Sequence, residues 1–394
     1  MLNNPHPNIL KYYLVHVLFG VTLIAPITIL YYLSFGLSFF AIASLESFFL
    51  ITTIILEIPT GALADTMGRK YAAAIGMSLV ALALVIIGIS NTFTQFAIAQ
   101  IIFGIGAAMR SGADTSLIYD SLKEASLTEK YAKIEGTSFA LFSLAAAITA
   151  PIGAYLFIYH HRAPFLIEAF FMLCTALIFI LMVEPQQRDT STDKKYWKTL
   201  IRGIKVPFHD PVIRWYFILF FFISSTIGFF SIIILQPLIL FKGISIMHIG
   251  YVFSALSLFG AISAVYADKL DSIIQERLSL FIIIFVPAIS LLMMGINNVI
   301  IFIIFLLLFK GTRGFSYPIL KKYIQQRLSS DTRTTVLSVE NLLDSLAGAI
   351  ALPLFGFIAD KMSINYTTVL MGALLLIGGI LLMAIRPKDN YLSV

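Results

Sequence analysis

Apolar runs of about 20 residues recur from one end of the chain to the other, and nothing else in the sequence constrains the fold as tightly. A helix needs about 20 mostly apolar residues to cross the hydrocarbon core of a bilayer, and a run of that length is apolar on every face. Twelve such runs are read, at 9–35, 39–64, 71–89, 94–119, 134–159, 163–183, 213–241, 249–267, 278–296, 299–320, 334–359 and 366–385. Of the 394 residues, 59% are hydrophobic and 12% charged, against about 45–50% and about 25% in soluble domains. The expected fold is an all-α membrane protein with 12 transmembrane helices. Asn91-Thr92 and Asn297-Asn298 mark tight reversals between neighbouring spans. Cys174 is the single cysteine, which excludes an internal disulfide framework. Residues 1–8 are polar and the run after them is too long for a cleaved leader, so no secretory signal is expected.

Basic residues orient the spans. Of the 27 Lys and Arg, 21 fall on the side of the N-terminus, three (Arg162, Lys242, Lys361) on the other, and three (Arg110, Lys310, Arg313) inside spans. Excess Lys and Arg mark cytoplasmic loops, so both termini are expected in the cytoplasm. The same distribution, short basic tracts between apolar runs, argues against nucleic acid as the reason for the net charge of +6. The longest polar stretch, 184–210, contains Lys194-Lys195-Tyr196-Trp197-Lys198 and reads as a linker lying against the inner leaflet. It gives a domain plan of 1–184, a linker at 185–212, and 213–394. Asp65 and Asp268, Arg110 and Arg313, and Pro151 and Pro353 match at offsets of 203, 203 and 202. These point to two pseudo-symmetric six-helix bundles, an arrangement that lets one bundle rock against the other about a site between them.

After the second span comes Gly61-Ala62-Leu63-Ala64-Asp65-Thr66-Met67-Gly68-Arg69-Lys70. This resembles the cytoplasmic loop signature G-x-L-A-D-x-x-G-R-K of the major facilitator superfamily, with Thr66 where a basic residue is usual. The preceding Glu57-Ile58-Pro59-Thr60 is similar to a variant found in bacterial members, and Gln100-Ile101-Ile102-Phe103-Gly104-Ile105-Gly106 to the helix-four pattern R-x-x-x-G-x-G with Gln100 replacing its arginine. The resemblance spans essentially the whole chain. It implies a cytoplasmic gate in which Gly61 and Gly68 permit close packing and a tight turn, with Lys70 completing the motif. It also implies that Asp65 faces the N-terminal end of helix eleven and that Arg69 pairs with Asp120 at the inner end of helix four.

Ionisable residues inside spans cost about 2.5–3.5 kcal/mol at mid-helix and normally face protein or a watery cavity. Glu46 and Glu57 share a stripe of helix two, and Arg110 and Asp114 stand one turn apart on helix four. A Glu57–Arg110–Asp114 cluster is compatible with their depths. Lys310 and Arg313 on helix ten, with Glu340 and Asp344 on helix eleven, form a counterpart. The carboxylates so grouped outnumber the bases five to three, leaving at least one without a cation, and Glu46 is the best candidate for it. The alternative for each cluster is a static ion pair fastening helices.

These features point to a secondary active transporter working by alternating access. No nucleotide-binding loop is present, so energy is expected from a gradient, most simply protons through buried carboxylates. Efflux of a small organic solute leads. Import of an anion held by Arg110 and Arg313 is the rival, and a membrane-embedded enzyme or a scaffold stands behind both. Enzymatic activity is not expected: six scattered histidines offer no nucleophile–base or metal-ligand spacing. No cofactor or metal is expected. The expected partners are substrate, protons and lipid, with the chain acting as a monomer in a bacterial inner membrane.

Overall fold

The computed structural model describes residues 6–185, 210–328 and 330–387, with side chains described throughout except at 58, 330–341 and 344. Most of the expected linker, including Lys194 to Lys198, and the side chains of Glu340 and Asp344 therefore lie outside the described residues. The described chain is helical, with no strand. Its helices are α1 (Pro7–Phe19), α2 (Thr28–Ser34), α3 (Phe39–Met67), α4 (Arg69–Ile89), α5 (Phe93–Arg110), α6 (Ala113–Glu124), α7 (Tyr131–Tyr159) and α8 (Ala163–Leu181). After residue 210 come α9 (Pro211–Phe229), a π turn (Phe230–Ile234), α10 (Leu235–Phe241), α11 (Ile246–Val265), α12 (Ala267–Met294), α13 (Val299–Gln326), α14 (Ser330–Lys361) and α15 (Ile364–Ala384).

Ten of these helical stretches are long and apolar enough to cross a membrane. The first expected span is not among them because its helix is divided: α1 has 13 residues and α2 seven. The fourth is also interrupted, at Ser111-Gly112, where Gly112 takes φ 73° between α5 and α6. The expected reversals form as read. Thr92 and Gln95 build a reciprocal capping box at the start of α5, and Asn298 Oδ1 accepts from the amides of Ile300 and Ile301 at the start of α13 (2.9 and 3.1 Å).

The chain divides into two compact units, Met1–Leu37 with Ser44–Ser191 and Ile246–Ser254, and Ser38–Ala43 with Thr192–Ser245 and Ala255–Val394. Each is built around its third long helix. In the first, α4 packs on α5 and α8; in the second, α12 packs on α13 and α15. Lipid supplies no hydrophobic drive for helix association, so close approach at small residues has to do that work. Gly76 and Gly106 meet face to face: a Cβ on either would lie 2.6 Å from the other's carbonyl oxygen. In the second unit, a Cβ on Gly314 would lie 2.3 Å from the carbonyl oxygen of Gly260. Lys242, beyond α10, is buried with its ammonium donating to Ile296 O (3.0 Å) and Asn365 Oδ1 (2.8 Å). Burial pushes that ammonium below its ordinary range.

Candidate functional site

The break at Ser111-Gly112 turns the end of helix four into a polar site. Arg110 closes α5 and Asp114 opens α6, and the guanidinium reaches across the break to Asp114 Oδ2 at 2.6 Å. Asp114 Oδ1 accepts from the Thr115 amide at 2.7 Å, near the positive end of the helix. Arg110 also lies over the Phe19 ring of α1, 4.2 Å from its centroid. From the same helix Tyr12, fully buried, donates its hydroxyl to Glu135 of α7 at 2.6 Å. His16 Nδ1 stands 3.0 Å from the Tyr12 carbonyl. A carbonyl only accepts, so in that contact Nδ1 is the donor.

These side chains, with Phe139 and Phe142, line a cavity of about 440 Å³ within the first unit. That volume suits a small organic molecule. Two carboxylates and one guanidinium share it with aromatic faces, and Glu135 is held by a hydroxyl. The cavity therefore carries an excess of negative charge beside π surfaces. Glu57 does not join it. Its side chain is exposed on α3, so the expected Glu57–Arg110–Asp114 cluster is replaced by Arg110–Asp114 with Tyr12 and Glu135. The sequence reading missed Glu135, because it follows Lys133 at a polar helix entry and resembles a loop charge. Glu168, fully inside α8, was also missed; a lone acid in an otherwise apolar run was the available signal.

Glu46 stands apart, half-buried on α3, accepting from Gln100 Nε2 at 3.4 Å. The same amide reaches the Tyr32 hydroxyl at 3.3 Å. Gln100, where the resemblance has arginine, thus gives Glu46 a neutral partner. Gly104 and Gly106 act on different faces, Gly104 against Phe49 and Thr52 of α3 and Gly106 against α4.

The loop motif forms a charged knot at one end of the first unit. Gly68 takes φ 106°, a left-handed conformation suited to glycine, and the chain turns directly into α4. Arg69 pairs with Asp120, as the resemblance implied, reaches Asp65 at 3.7 Å and donates to Ser116 O at 3.2 Å. Glu184 closes the knot by accepting from the amides of Arg69 (2.8 Å) and Lys70 (3.0 Å), which caps α4. The Lys70 ammonium donates to Met182 O at 3.1 Å. Gly61 has open space where a Cβ would sit. The packing expected of it falls to its neighbour Thr60, whose hydroxyl donates to Ala108 O at 3.1 Å.

The second unit repeats this knot with its charges reversed. Gln275 takes the left-handed turn (φ 63°) inside α12, and Glu276 follows it as Arg69 follows Gly68. Glu276 pairs with Arg327 at 2.8 Å and with Arg386, and accepts from the Tyr216 hydroxyl. Glu276 and Arg327 both stand 207 positions after Arg69 and Asp120; Arg386 stands 202 after Glu184. Acid has become base, and base acid, at all three. Asp268 remains an acid and binds Lys322 at 2.5 Å, and Asp271 binds the same ammonium at 3.0 Å. Because the caps Thr92 and Asn298 lie 206 apart, Arg110 and Arg313 are offset by about one helical turn in the repeat rather than matched. Lys310 and Arg313 are half-buried one turn apart on α13, with the Lys310 stem 3.6 Å from the position a Gly260 Cβ would take. Among the described residues, no group of three or more His, Cys, Asp and Glu side chains is placed to hold a metal ion.

Two helical units of matching internal packing, with polar side chains gathered inside apolar helices, define a multi-pass membrane protein. The chain belongs to the Major Facilitator Superfamily, whose sequence profile matches residues 14–352. It is 28% identical over 191 residues to Multidrug resistance protein 1 of Bacillus subtilis, covering 48% of each chain. It is 27% identical over 197 residues to Quinolone resistance protein NorA of Staphylococcus aureus, covering 49% of this chain and 50% of that one. The chain spans about half the length of the curated relatives it matches. In fold it is similar to the nucleoside transporter NupG, with a TM-score of 0.83 at 12% identity over 97% of this chain and 100% of that one. It is also similar to a bacterial homolog of the human lysosomal transporter Spinster, with a TM-score of 0.73 at 14% identity over 97% and 96%.

Proposed function

We propose that this transporter is a proton-coupled exporter of small amphiphilic organic solutes, cationic or neutral, across a bacterial inner membrane. It would act as a monomer of 12 spans by alternating access, with both termini in the cytoplasm. The observation that carries this reading is the cavity of about 440 Å³ in which aromatic rings accompany Asp114, Glu135 and a single guanidinium. Aromatic faces and surplus carboxylate attract a desolvated organic cation. The names of the curated relatives, multidrug and quinolone resistance proteins, support the same direction. Glu46, bonded to neutral Gln100, is the proposed coupling carboxylate, and the Arg69–Asp120–Glu184 knot the cytoplasmic gate.

The test uses proteoliposomes loaded with a lipophilic dye cation and an imposed pH gradient. Wild type is expected to move dye against its gradient, Glu46→Gln to lose the dependence on the pH gradient, and Glu135→Gln to raise KM for the dye. Dye movement that ignores the pH gradient in wild type defeats the coupling. No movement of any dye cation defeats the export reading. One observation favours the rival, import of an anion: Lys310 and Arg313 stand one turn apart within a membrane helix. Saturable uptake of an organic anion that Lys310→Met abolishes would establish that reading instead.

A further inference from the structure

The first span is unwound in the middle of its course. After α1 ends at Phe19 the chain leaves the helix at residues 20–27 and resumes at Thr28. Pro26 brings no N–H to this stretch, and the remaining backbone groups need partners where no water is at hand. Three neighbours provide the setting. Thr149 of α7 accepts from the Thr22 amide at 3.2 Å. Gly153, one turn further, makes room: a Cβ there would lie 1.9 Å from the Leu23 carbonyl oxygen. Glu168 of α8, 6% exposed, accepts from the Ile24 amide at 2.9 Å.

No cation answers Glu168 among the described residues packed around it. On α4 no titratable side chain follows Tyr71, and on α7 none lies between Glu135 and Tyr155. On its own helix, Arg162 at the N-cap is turned to Asn91 Oδ1 at 2.5 Å, and Cys174 lies further along. On the first span, His16 bonds the Tyr12 carbonyl and the Tyr31 hydroxyl donates to Ile87 O at 3.1 Å. Among the described residues, this buried carboxylate is held by backbone amide donation, which is stronger to an ionised oxygen than to the carbonyl oxygen of a protonated acid. The other repeat gives the control. α9 passes through its π turn without unwinding, and the positions 201 to 203 after Glu168 are Val369, Leu370 and Met371. Where the acid is absent, the helix is continuous.

We infer that Glu168 is a second proton-binding residue, and that its ionised carboxylate is the clasp holding residues 20–27 unwound. Protonation turns one oxygen from acceptor to donor and discharges the other, so the Ile24 amide keeps only a weaker bond to a neutral carbonyl oxygen and the segment is freed to rewind. The inference deepens the proposed proton coupling and rests on it only for the statement that the bound proton crosses the membrane.

Two measurements on wild type in nanodiscs test it without substrate. Infrared difference spectra across a pH titration are expected to show a protonated carboxylic acid band that is lost in Glu168→Gln and kept in Glu46→Gln. Amide exchange of residues 21–25, corrected for the intrinsic pH effect, is expected to shift across the same titration in wild type and to stay fixed in Glu168→Gln. If the glutamine variant does not fold, the wild-type exchange profile alone decides. A band that survives Glu168→Gln, or wild-type exchange that does not change with pH, overturns the inference. Neither readout needs a proton gradient. Loss of coupling would therefore leave this site standing, and failure here would leave coupling through Glu46 standing.

Discussion

Arg69, Asp120 and Glu184 meet at one place in the first repeat, and Glu276, Arg327 and Arg386 at the matching place in the second, with every sign exchanged. What the buried pair at each site requires is an acid opposite a base in either order, while the third groups differ in role: Glu184 accepts from backbone amides and Arg386 bonds the Glu276 side chain. Arg69 and Asp120 are both buried, so leaving one of them facing a like charge costs about 3–5 kcal/mol. Asp120→Arg is expected to lower the thermal midpoint in detergent sharply. Adding Arg69→Glu and Glu184→Arg, which transplants the second set, is expected to recover at least half of the loss. No recovery would mean that the two knots are not equivalent. A smaller device sits at the N-terminus, where His6 Nδ1 accepts from the Asn8 amide at 3.3 Å and caps α1. Burial lowers the His6 pKa from 6.5, against an opposing pull from Glu124. Its folded form therefore favours neutral imidazole: the cap is intact above pH 6.5 and is lost as pH falls through the lowered value. His6→Asn, which caps without titrating, is expected to flatten the pH dependence of thermal stability in that acid window. An unchanged slope would remove His6 from the account.

Among the helices, glycine spacing tells more than hydropathy. Gly106 abuts Gly76 O at 2.6 Å and the Val80 amide at 2.9 Å, measured from a built Cβ, and backbone cannot step aside as a side chain can. Gly106→Ala is expected to cost about 1–3 kcal/mol and to lower the thermal midpoint. Gly61→Ala meets nothing and is expected to leave that midpoint unchanged; equal losses in both variants would show that helix propensity, not contact, decides. Most of this architecture was legible beforehand. Span positions follow from run length, the reversals from the short turns Asn91-Thr92 and Asn297-Asn298, and the Arg69–Asp120 pair from the loop motif's resemblance. The two interruptions were not legible, because an apolar run reads the same whether its helix is whole or broken. The break at residues 20–27 is imposed by Glu168, Thr149 and Gly153, which lie more than a hundred residues away along the chain. The cavity was half legible: Arg110 and Asp114 show in the sequence as charges in an apolar span, whereas Tyr12 and Glu135 become part of it only when α1 packs on α7.

Across the chain, the repeat is uneven in register. It runs at 203 from Asp65 to Asp268, lengthens to 207 by Glu276, and returns to 201 between the starts of α8 and α15. The gain falls in the first residues of α12, between Asp268 and its left-handed Gln275, where Asp271 binds Lys322 of α13, and this is why sequence matching alone paired Arg110 with Arg313 one turn out of place. The exchanged signs of the two knots have a consequence for how such a chain is made. Twin halves emerge from the ribosome one after the other, each offering helices of nearly the same shape to the other's docking sites. If α4 docked on α13, Arg69 would meet Arg327; if α12 docked on the α5–α6 span, Glu276 would meet Asp120. Kinship between the halves is thereby kept from becoming confusion, by a password of three charges that each copy reads only in its own sense. The triple variant that restores the thermal midpoint erases that password, and its cost should surface in biosynthesis, as a lower yield of correctly assembled protein per chain synthesised.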